Sequence, residues 1–229
     1  MTNYQVKPYS NIAKIGLDKL EGTECSLDES SDSPDGILIR STKLAEDHIK
    51  DGLKAISRAG AGVNNIPIDL CTDKGIVVFN TPGANANAVK ELVLAGLMLS
   101  SRNVYASIDF VNGLSHLEQM TDLEPFLEEN KKSFKGTELA GSTLGVVGLG
   151  AIGSKVANMG VALDMNVVGY DPALSVEAAW KLPNQVVPSE SMKDLFAVSD
   201  FVSIHIPAID STQGIINEEV FKKANNLSL

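Results

Sequence analysis

The sequence predicts an α/β protein with doubly wound parallel β-sheets, and three observations predict it. Short apolar runs alternate with helical patterns over the first third of the chain, and this alternation is typical of βαβ units with right-handed crossovers. A long helix with a broad apolar face is expected at 85–102. A second alternation of strand and helix patterns then runs from 143 to 224.

The first alternation contains three predicted strands and three predicted helices. The strands are expected at 36–40, 53–58 and 76–80, and the helices at 11–20, 45–52 and 66–74. Because strand, crossover and strand repeat in that order, we expect one parallel sheet. Thr81, Pro82 and Gly83 then break the pattern and are interpreted as a hinge. Beyond the long helix, the polar and mixed segment 112–141 is expected to form an arm.

A glycine-rich turn follows the apolar strand pattern at 143–147. Gly148, Gly150 and Gly153 in this turn have the spacing G-x-G-x-x-G. The first glycine would permit the tight turn, the second a close approach of the backbone to a pyrophosphate, and the third close packing of helix on strand. We therefore predict a dinucleotide-binding domain of Rossmann type, with a purely structural strand-to-helix turn as the alternative.

The residues after this turn favour one cofactor. A helical pattern opens at Ala151, and the N–H groups at this start, including that of Ile152, would face a pyrophosphate. Asp171 follows the strand expected at 167–170, where a carboxylate can bind a ribose diol and repel a 2′-phosphate. The next residues, 172–174, supply no Arg or Lys for such a phosphate. The sequence therefore predicts NAD rather than NADP.

The remainder of this region holds fewer strands than a whole dinucleotide domain. Helices are expected at 176–182, 192–198 and 218–224, and strands at 185–187 and 201–205. The region thus has room for about four strands, whereas a doubly wound dinucleotide domain has roughly six. We expect an incomplete domain.

Composition restricts the class of protein. The 229 residues include 19 Lys and Arg against 29 Asp and Glu, a formal net charge of −10. Without a basic stripe to neutralise phosphates, nucleic acids and acidic membranes are excluded as partners. Cys25 and Cys71 lack metal-ligand spacing, and no signal peptide or bilayer-spanning run occurs. We expect a cytoplasmic protein with reduced thiols and no metal site.

Several motifs are specific in combination and in order. They are RAGAGVN at 58–64, IVVFNTPG at 76–83, NAVKEL at 87–92, LGAIG at 149–153 and SIHIP at 203–207. With these motifs the chain resembles the D-isomer-specific 2-hydroxyacid dehydrogenases over nearly its whole length. Within that family the likeness is greatest to the members that act on D-3-phosphoglycerate, through GILIRSTKL at 36–44 and the run RAGAGVNNI.

The resemblance implies a domain organisation and an activity. Residues 1–82 would form the N-terminal part of a flavodoxin-like substrate domain, and residues 83–229 an NAD-binding domain without its last strands. The hinge would let the two close over substrate and exclude water. The implied reaction is NAD-dependent oxidation of the CH–OH group of a D-2-hydroxy acid, D-3-phosphoglycerate to 3-phosphohydroxypyruvate in serine biosynthesis. The implied partners are this small acid and a second copy of the chain, which would form a dimer through the long helix and the arm.

Such a reaction needs a site for the substrate carboxylate. Gly60, Gly62 and Val63 lie in a small-residue turn whose backbone N–H groups could form an anion nest, with a structural turn as the alternative. Arg40 follows an apolar strand and could bind a carboxylate or phosphate, or be an ordinary surface residue; the resemblance favours the former. Asn80 stands at the carboxyl end of a strand, where open α/β sheets bind ligands.

The resemblance also assigns residues to the cofactor side. Ala61, in the small-residue turn, belongs there, and His205, Ile206 and Pro207 would line the nicotinamide side of the pocket. His205 ends a predicted strand and resembles an acid/base, but the family pattern gives proton transfer to a later histidine. A structurally hydrogen-bonded histidine is the alternative.

The chain departs from the family pattern after the last predicted helix. The pattern continues with an N-x-A-R-G type motif whose Arg binds the carboxylate, and then with a Glu and a catalytic His. No Arg follows Arg102 and no His follows His205, so no catalytic residue is assigned here. We expect either a truncated dehydrogenase with impaired activity or a non-catalytic NAD-binding or interaction protein on the same scaffold.

Overall fold

The computed structural model describes residues 3–9, 12–114 and 123–224. The chain divides into two compact units, Met1–Asn85 and Ala86–Leu229. Each unit contains one sheet, and every pair of neighbouring strands in the described residues is parallel. The predicted α/β fold with parallel sheets is confirmed.

The first unit has a five-stranded parallel sheet. Its strands are β1 (Tyr4–Tyr9), β2 (Cys25–Leu27), β3 (Gly36–Ile39), β4 (Ala55–Arg58) and β5 (Val77–Phe79). Their spatial order is β2-β1-β3-β4-β5, which is the flavodoxin-like order of doubly wound sheets. The strands predicted at 36–40, 53–58 and 76–80 are β3, β4 and β5, and each is slightly shorter than predicted.

The sequence pattern did not predict β1 and β2. β1 carries Lys7 and Pro8, which interrupt any apolar alternation, and β2 has only three residues. β1 nevertheless lies inside the sheet, because Val6 is buried and pairs in register with Gly36 of β3. Tertiary pairing therefore overrides weak local propensity here.

Helices in the first unit are short. They are α1 (Lys14–Leu17), followed by a 3-10 turn at Asp18–Leu20, and α2 (Ile68–Asp73). The α-helix predicted at 45–52 is wrong, since only a 3-10 turn, Glu46–His48, forms there. The His48 ring accepts a hydrogen bond from the Ala45 N–H at 3.2 Å, and Gly52 has φ +93°, which ends any helical path. Residue 11 of the helix predicted at 11–20 lies outside the described residues.

The second unit has a four-stranded parallel sheet, as many strands as predicted. The strands are β6 (Thr143–Val147), β7 (Asn166–Tyr170), β8 (Val187–Pro188) and β9 (Phe201–Ile204). Their order is β8-β7-β6-β9. The first strand of the unit thus lies between its second and its fourth, as in dinucleotide-binding domains. The strand order reverses between β6 and β9, and ligands of open α/β sheets bind at such a point.

The helices of the second unit cover this sheet and continue away from it. They are α3 (Ala86–Ser101), α4 (Val104–Gly113), α5 (Leu123–Asn130), α6 (Gly153–Ala162), α7 (Val176–Ala179), α8 (Met192–Val198) and α9 (Glu218–Phe221). The long helix and the helix at 192–198 are confirmed, whereas α7 and α9 are only one turn long. The helical pattern that opens at Ala151 becomes a regular helix two residues later, at Gly153.

The predicted arm at 112–141 contains helical structure that its mixed composition concealed. The end of α4 and all of α5 fall within it, and a 3-10 turn follows at Lys131–Phe134. The rings of Phe110 and Phe126 stack at 5.9 Å between centroids, and Phe134 lies 5.1 Å from Phe110. Residues 115–122 of the predicted arm lie outside the described residues.

Both units bury an apolar core around their central strands. In the first, Ile37, Ile39 and Ile56 of β3 and β4 are buried, and in the second, Leu144 and Val146 of β6 are fully buried. Burial of one such side chain contributes roughly 1.5–3 kcal/mol. The central strands are therefore fixed, and the loops at their ends are held relative to a rigid sheet.

Three further properties bear on the class of protein. In the described ranges, no helix is both long enough and apolar enough to cross a membrane. Over the same ranges, no three His, Cys, Asp or Glu side chains come together as metal ligands. Cys25 and Cys71 are free thiols, and burial raises the pKa of the Cys71 thiol.

Two helical glycines of the second unit give a matched test of packing. A Cβ added at Gly160 would lie 2.8 Å from Leu144 Cδ2 and 2.9 Å from Val167 Cγ2, whereas a Cβ added at Gly96 would meet nothing within 4 Å. We expect Gly160→Ala to lower the free energy of unfolding by about 1–3 kcal/mol through overpacking. Gly96→Ala should raise it by about 0.5–1 kcal/mol through helix propensity. Urea denaturation measures both, and equal effects would contradict this packing.

Candidate functional site

The glycine-rich turn of the second unit joins β6 to α6, and its three glycines differ in what surrounds them. Gly148 has φ +85°, and a Cβ there would lie 2.8 Å from the carbonyl oxygen of His205. A Cβ at Gly153 would lie 1.8 Å from the carbonyl oxygen of Gly148. A Cβ at Gly150 would meet nothing within 4 Å. Packing therefore requires the outer two glycines, while the middle one faces open space in which a ligand can approach the backbone.

The start of α6 offers backbone N–H groups to that open space. The helix has ten residues, and Ile152, which precedes it, has an apolar side chain that cannot cap it. Gly150 and Ala151 are exposed. The first N–H groups of a helix lack intrahelical partners, and the helix dipole favours an anion there. Ala151, Ile152 and the glycines thus form a site suited to phosphate oxygens.

Asp171 stands at the carboxyl end of β7 and contacts the glycine-rich turn. Its Oδ2 accepts a hydrogen bond from the Leu149 N–H at 2.8 Å, and its Oδ1 accepts one from the Ala173 N–H at 2.9 Å. The carboxylate is only half-buried, so further lone pairs remain for a ribose diol. The sequence predicts ribose recognition by this residue, and the structure adds that it also holds the turn.

His205 follows β9, beside the point where the strand order reverses. Its N–H donates to the carbonyl oxygen of Val147 at 2.7 Å, and its Nε2 lies 2.8 Å from Ser203 Oγ. Burial lowers the pKa of His205 below its ordinary value. The ring is therefore neutral near pH 7, which suits a pocket wall better than a proton carrier. Ile206 and Pro207 continue this wall and line a cavity of about 360 Å³ that extends to Gln213.

In the first unit, the small-residue turn follows β4 at the carboxyl edge of the sheet. The carbonyl oxygen of Gly60 accepts from the Thr81 N–H at 2.9 Å, and that of Ala61 accepts from Asn80 Nδ2 at 2.6 Å. The Arg58 guanidinium donates to the carbonyl oxygen of Gly62. Three consecutive carbonyl groups are thus occupied by donors of the same unit.

The N–H groups of this turn are arranged differently. The Gly60 N–H donates to the carbonyl oxygen of Arg58 at 2.9 Å. Those of Ala61, Gly62 and Val63 have no acceptor among the residues that the structure describes. In a turn, consecutive backbone N–H groups that lack acceptors are available to an anion. Ala61, Gly62 and Val63 therefore present donors, while Gly60 contributes to the conformation of the turn.

Arg40 follows β3 at the same edge of the sheet. Its side chain is exposed and has no acceptor within the described part of the chain. Its carbonyl oxygen accepts from Arg58 Nε at 3.1 Å and from Asn65 Nδ2 at 3.3 Å. The backbone of Arg40 is thus fixed while its guanidinium remains free to bind an anion.

Sequence reasoning missed two residues that build this edge. Arg58 belongs to the motif RAGAGVN but is not among the predicted site residues. Its guanidinium donates to the carbonyl oxygens of both Gly62 and Arg40. Asn65 was not singled out, and its Oδ1 is buried without a partner in the described residues. Their positions in the sequence could have indicated them, since Arg58 ends the strand before the small-residue turn and Asn65 follows that turn.

The fold and these two sites define a class of protein. A strand, a glycine-rich turn, a helix and an acid at the end of the next strand make up a dinucleotide-binding unit, and a second α/β unit with a turn of small residues at its sheet edge precedes it. A sequence profile described as D-isomer specific 2-hydroxyacid dehydrogenase, NAD binding domain, matches residues 104–228, more than half of the chain. The chain belongs to the D-isomer-specific 2-hydroxyacid dehydrogenases, as predicted, and NAD is the cofactor of the matched domain.

Individual relatives agree with this assignment. The chain is 36% identical to D-3-phosphoglycerate dehydrogenase of Methanocaldococcus jannaschii over 201 residues, which are 86% of this chain and 35% of that protein. It is 38% identical to hydroxypyruvate reductase of Thermotoga maritima over 193 residues, 82% of this chain and 56% of that protein. The chain therefore spans about a third to just over half of the length of these relatives.

A solved structure shows the same fold. The crystal structure of NAD+-bound 3-phosphoglycerate dehydrogenase from Entamoeba histolytica matches with a TM-score of 0.71 and 26% sequence identity. The match covers 97% of this chain and 69% of that one. The likeness extends over both units of the chain.

The middle glycine of the turn allows binding to be separated from folding. We expect Gly150→Leu to abolish saturable NADH binding, because the side chain would occupy the space in which a pyrophosphate meets the backbone. Its free energy of unfolding should stay near that of the unmodified chain, since nothing surrounds the added Cβ. Gly153→Ala is the contrast, because its Cβ would collide with the Gly148 carbonyl oxygen. Fluorescence titration and urea denaturation measure the two properties, and undiminished NADH binding by Gly150→Leu would refute the site.

The half-buried ring of His205 gives a prediction for pH dependence. We expect its C–H resonances to titrate with a pKa below the ordinary value of 6.5. Between that pKa and 6.5 the unfolded chain binds a proton that the folded chain does not, so stability falls as pH falls through this window. His205→Gln should remove this part of the pH dependence and identify the resonance in NMR spectra. A measured pKa at or above 6.5 would contradict the described burial.

Proposed function

We propose that the protein to which this chain belongs is an NAD-dependent oxidoreductase acting on the CH–OH group of a D-2-hydroxy acid. D-3-phosphoglycerate is the substrate we favour, with 3-phosphohydroxypyruvate as the product in serine biosynthesis. The observation that carries this proposal is the turn at Ala61–Val63, whose N–H groups have no acceptor among the described residues. It lies in a chain that also holds the NAD-binding domain of the family.

The residues of the chain would divide the work of binding and orientation. The N–H groups of Ala61, Gly62 and Val63 would hold the substrate carboxylate, which gives Ala61 a substrate contact where the resemblance assigns it to the cofactor. The free guanidinium of Arg40 would bind a second anionic group such as a phosphate. The glycine-rich turn and Asp171 would hold NAD, which would supply a hydride acceptor for the carbinol carbon. His205 would line the nicotinamide side as a neutral ring, which its lowered pKa supports.

The choice of substrate within the class rests on two supports. The first support is the names of two relatives, D-3-phosphoglycerate dehydrogenase and hydroxypyruvate reductase. Both names denote enzymes that act on small hydroxy or keto acids. Arg40 adds a positive group beside the N–H groups of its own unit, which suits an acid that carries two anionic groups. A substrate with a single carboxylate would leave this guanidinium without a partner.

We propose that the protein is a homodimer located in the cytoplasm. Large apolar side chains are exposed along α3 and α4, among them Leu92, Leu99, Tyr105, Ile108 and Val111. Contiguous exposed apolar surface is typical of protein interfaces. The free thiols Cys25 and Cys71 fit a reducing compartment. Sedimentation equilibrium that gives a monomer at micromolar concentration would contradict the dimer.

A non-catalytic NAD-binding protein on the same scaffold is the second candidate. One observation favours it: the only histidine that the described residues place at the carboxyl edge of the second unit's sheet is His205, whose ring bonds to Ser203 and to no described carboxylate, so the described part of this edge holds no oriented acid/base. A catalytic histidine is usually oriented by a carboxylate or a similar group. On this alternative the chain binds NAD and a partner but does not turn over substrate.

A titration and a turnover assay distinguish these functions. Trp180 is the single Trp of the chain and is 85% exposed, close in sequence to Asp171. Cofactor binding is measured by the decrease of Trp180 fluorescence and by the NADH emission that energy transfer from Trp180 excites. The turnover assay is made on the whole protein to which this chain belongs. Binding together with NADH-dependent reduction of 3-phosphohydroxypyruvate by that protein supports the dehydrogenase. Binding without its turnover of any 2-keto acid favours the second candidate, and the absence of saturable NADH binding contradicts both.

Asp171 gives a prediction for cofactor choice. We expect the unmodified chain to bind NADH more tightly than NADPH, and Asp171→Asn to reduce this preference, because the neutral amide no longer repels a 2′-phosphate. Glu190→Gln is the matched control, since it removes one exposed negative charge from the same unit. Paired titrations with the two cofactors measure the preference. Equal affinities in the unmodified chain, or equal changes in both variants, would contradict the assignment.

A further inference from the structure

In the turn at 60–63 the carbonyl groups accept hydrogen bonds from the protein, whereas the N–H groups of the same peptide units have no acceptor among the described residues. All peptide bonds of the described residues are trans, so the C=O and N–H of each peptide unit point in opposite directions. The carbonyl oxygens of Gly60, Ala61 and Gly62 each face a donor of the first unit. Each N–H of these three peptide units therefore points away from the donor that its own carbonyl faces, and it is left available for an anion.

The peptide between Ala61 and Gly62 is the one most able to turn over. Turning a peptide over changes ψ of the residue before it and φ of the residue after it, and of the three peptide units only this one is followed by a glycine, which accepts φ of either sign. A turned peptide would present the carbonyl oxygen of Ala61 where the Gly62 N–H belongs. The site would then repel an anion instead of binding it.

One side chain opposes this rotation. Asn80, just after β5, donates its Nδ2 to the carbonyl oxygen of Ala61 at 2.6 Å. The neighbouring peptide units are held by a backbone N–H, that of Thr81, and by Arg58, which bonds at two places. Asn80 is therefore the one side chain whose described hydrogen bond fixes the middle peptide.

We propose that Asn80 is a positioning residue, which acts through the Ala61 carbonyl to keep the Gly62 N–H directed at the substrate anion. This inference rests on the proposed function, in which that anion is the carboxylate of a 2-hydroxy acid. It adds a positioning part to the substrate-binding part assigned to Asn80 from the sequence, since one N–H of its amide bonds to the protein.

The test follows the amide resonances of Ala61, Gly62 and Val63 in the full chain during titration with 3-phosphoglycerate. Asn80→Ala removes the donor, and Asn80→Leu removes it while filling a similar volume. Asn64→Ala is the matched control, because Asn64 is an exposed Asn of the neighbouring turn whose side chain makes no hydrogen bond among the described residues. The amides of Ile37 and Ile56 report whether the sheet of the first unit is intact.

Both Asn80 variants should raise the Kd for 3-phosphoglycerate about 3- to 10-fold, the range expected from the loss of one hydrogen bond. They should also shift the Gly62 amide in the absence of ligand. Asn64→Ala should change the Kd by less than about twofold, and the Ile37 and Ile56 amides should not move in any variant.

Three results would overturn the proposal. They are a Kd for the Asn80 variants within about twofold of the unmodified chain, an equal loss in Asn64→Ala, and loop amides of the unmodified chain that do not respond to 3-phosphoglycerate. NADH titration of the same samples separates this outcome from the proposed function. If NADH binds while the loop does not respond, the positioning of the anion fails alone; if NADH does not bind, the proposed function fails whatever Asn80 does.

Discussion

In each of the two sheets every strand runs in the same direction, and this constraint places all carboxyl ends of a sheet at one edge. Residues that are far apart in sequence meet there because their strands are neighbours. In the first unit the edge collects Arg40, the turn after β4 and Asn80. In the second it collects the glycine-rich turn, Asp171 and His205. Binding chemistry is thus concentrated in loops, while the buried strands behind them contribute only rigidity.

At both edges a side chain hydrogen-bonds to the backbone of a neighbouring loop, as an acceptor in one unit and as a donor in the other. Asp171 accepts a hydrogen bond from the backbone of the glycine-rich turn, and Asn80 donates one to the backbone of the small-residue turn after β4. In each case a polar side chain at the end of one strand fixes the loop that follows its neighbour. A glycine-containing loop lets a ligand approach its backbone because it lacks side chains, but its conformation must then be fixed by other residues. Here a residue that follows the neighbouring strand fixes it through a hydrogen bond.

The sequence predicted the elements whose patterns are local. The strand at 143–147 and the helix at 192–198 form as expected, because their apolar positions repeat with the correct period and glycine or serine marks their ends. β1 escaped prediction since Lys7 and Pro8 hide it, and 45–52 was wrong because His48 and Gly52 favour a turn. In the site, glycines and acids were found by spacing. The bonds of Arg58 and Ser203 were not, because they depend on which loops the sheet brings together.

The three glycines of the nucleotide turn also differ in their evolutionary consequences. A change at Gly148 or Gly153 meets backbone atoms and is removed by selection on folding itself, whatever the protein does. A Cβ at Gly150 meets nothing within 4 Å, so packing does not oppose a change there. One nucleotide substitution in that codon would therefore leave the fold intact. On the proposed function, the residue at this position in related genes separates scaffolds under selection for the cofactor from scaffolds kept for another purpose.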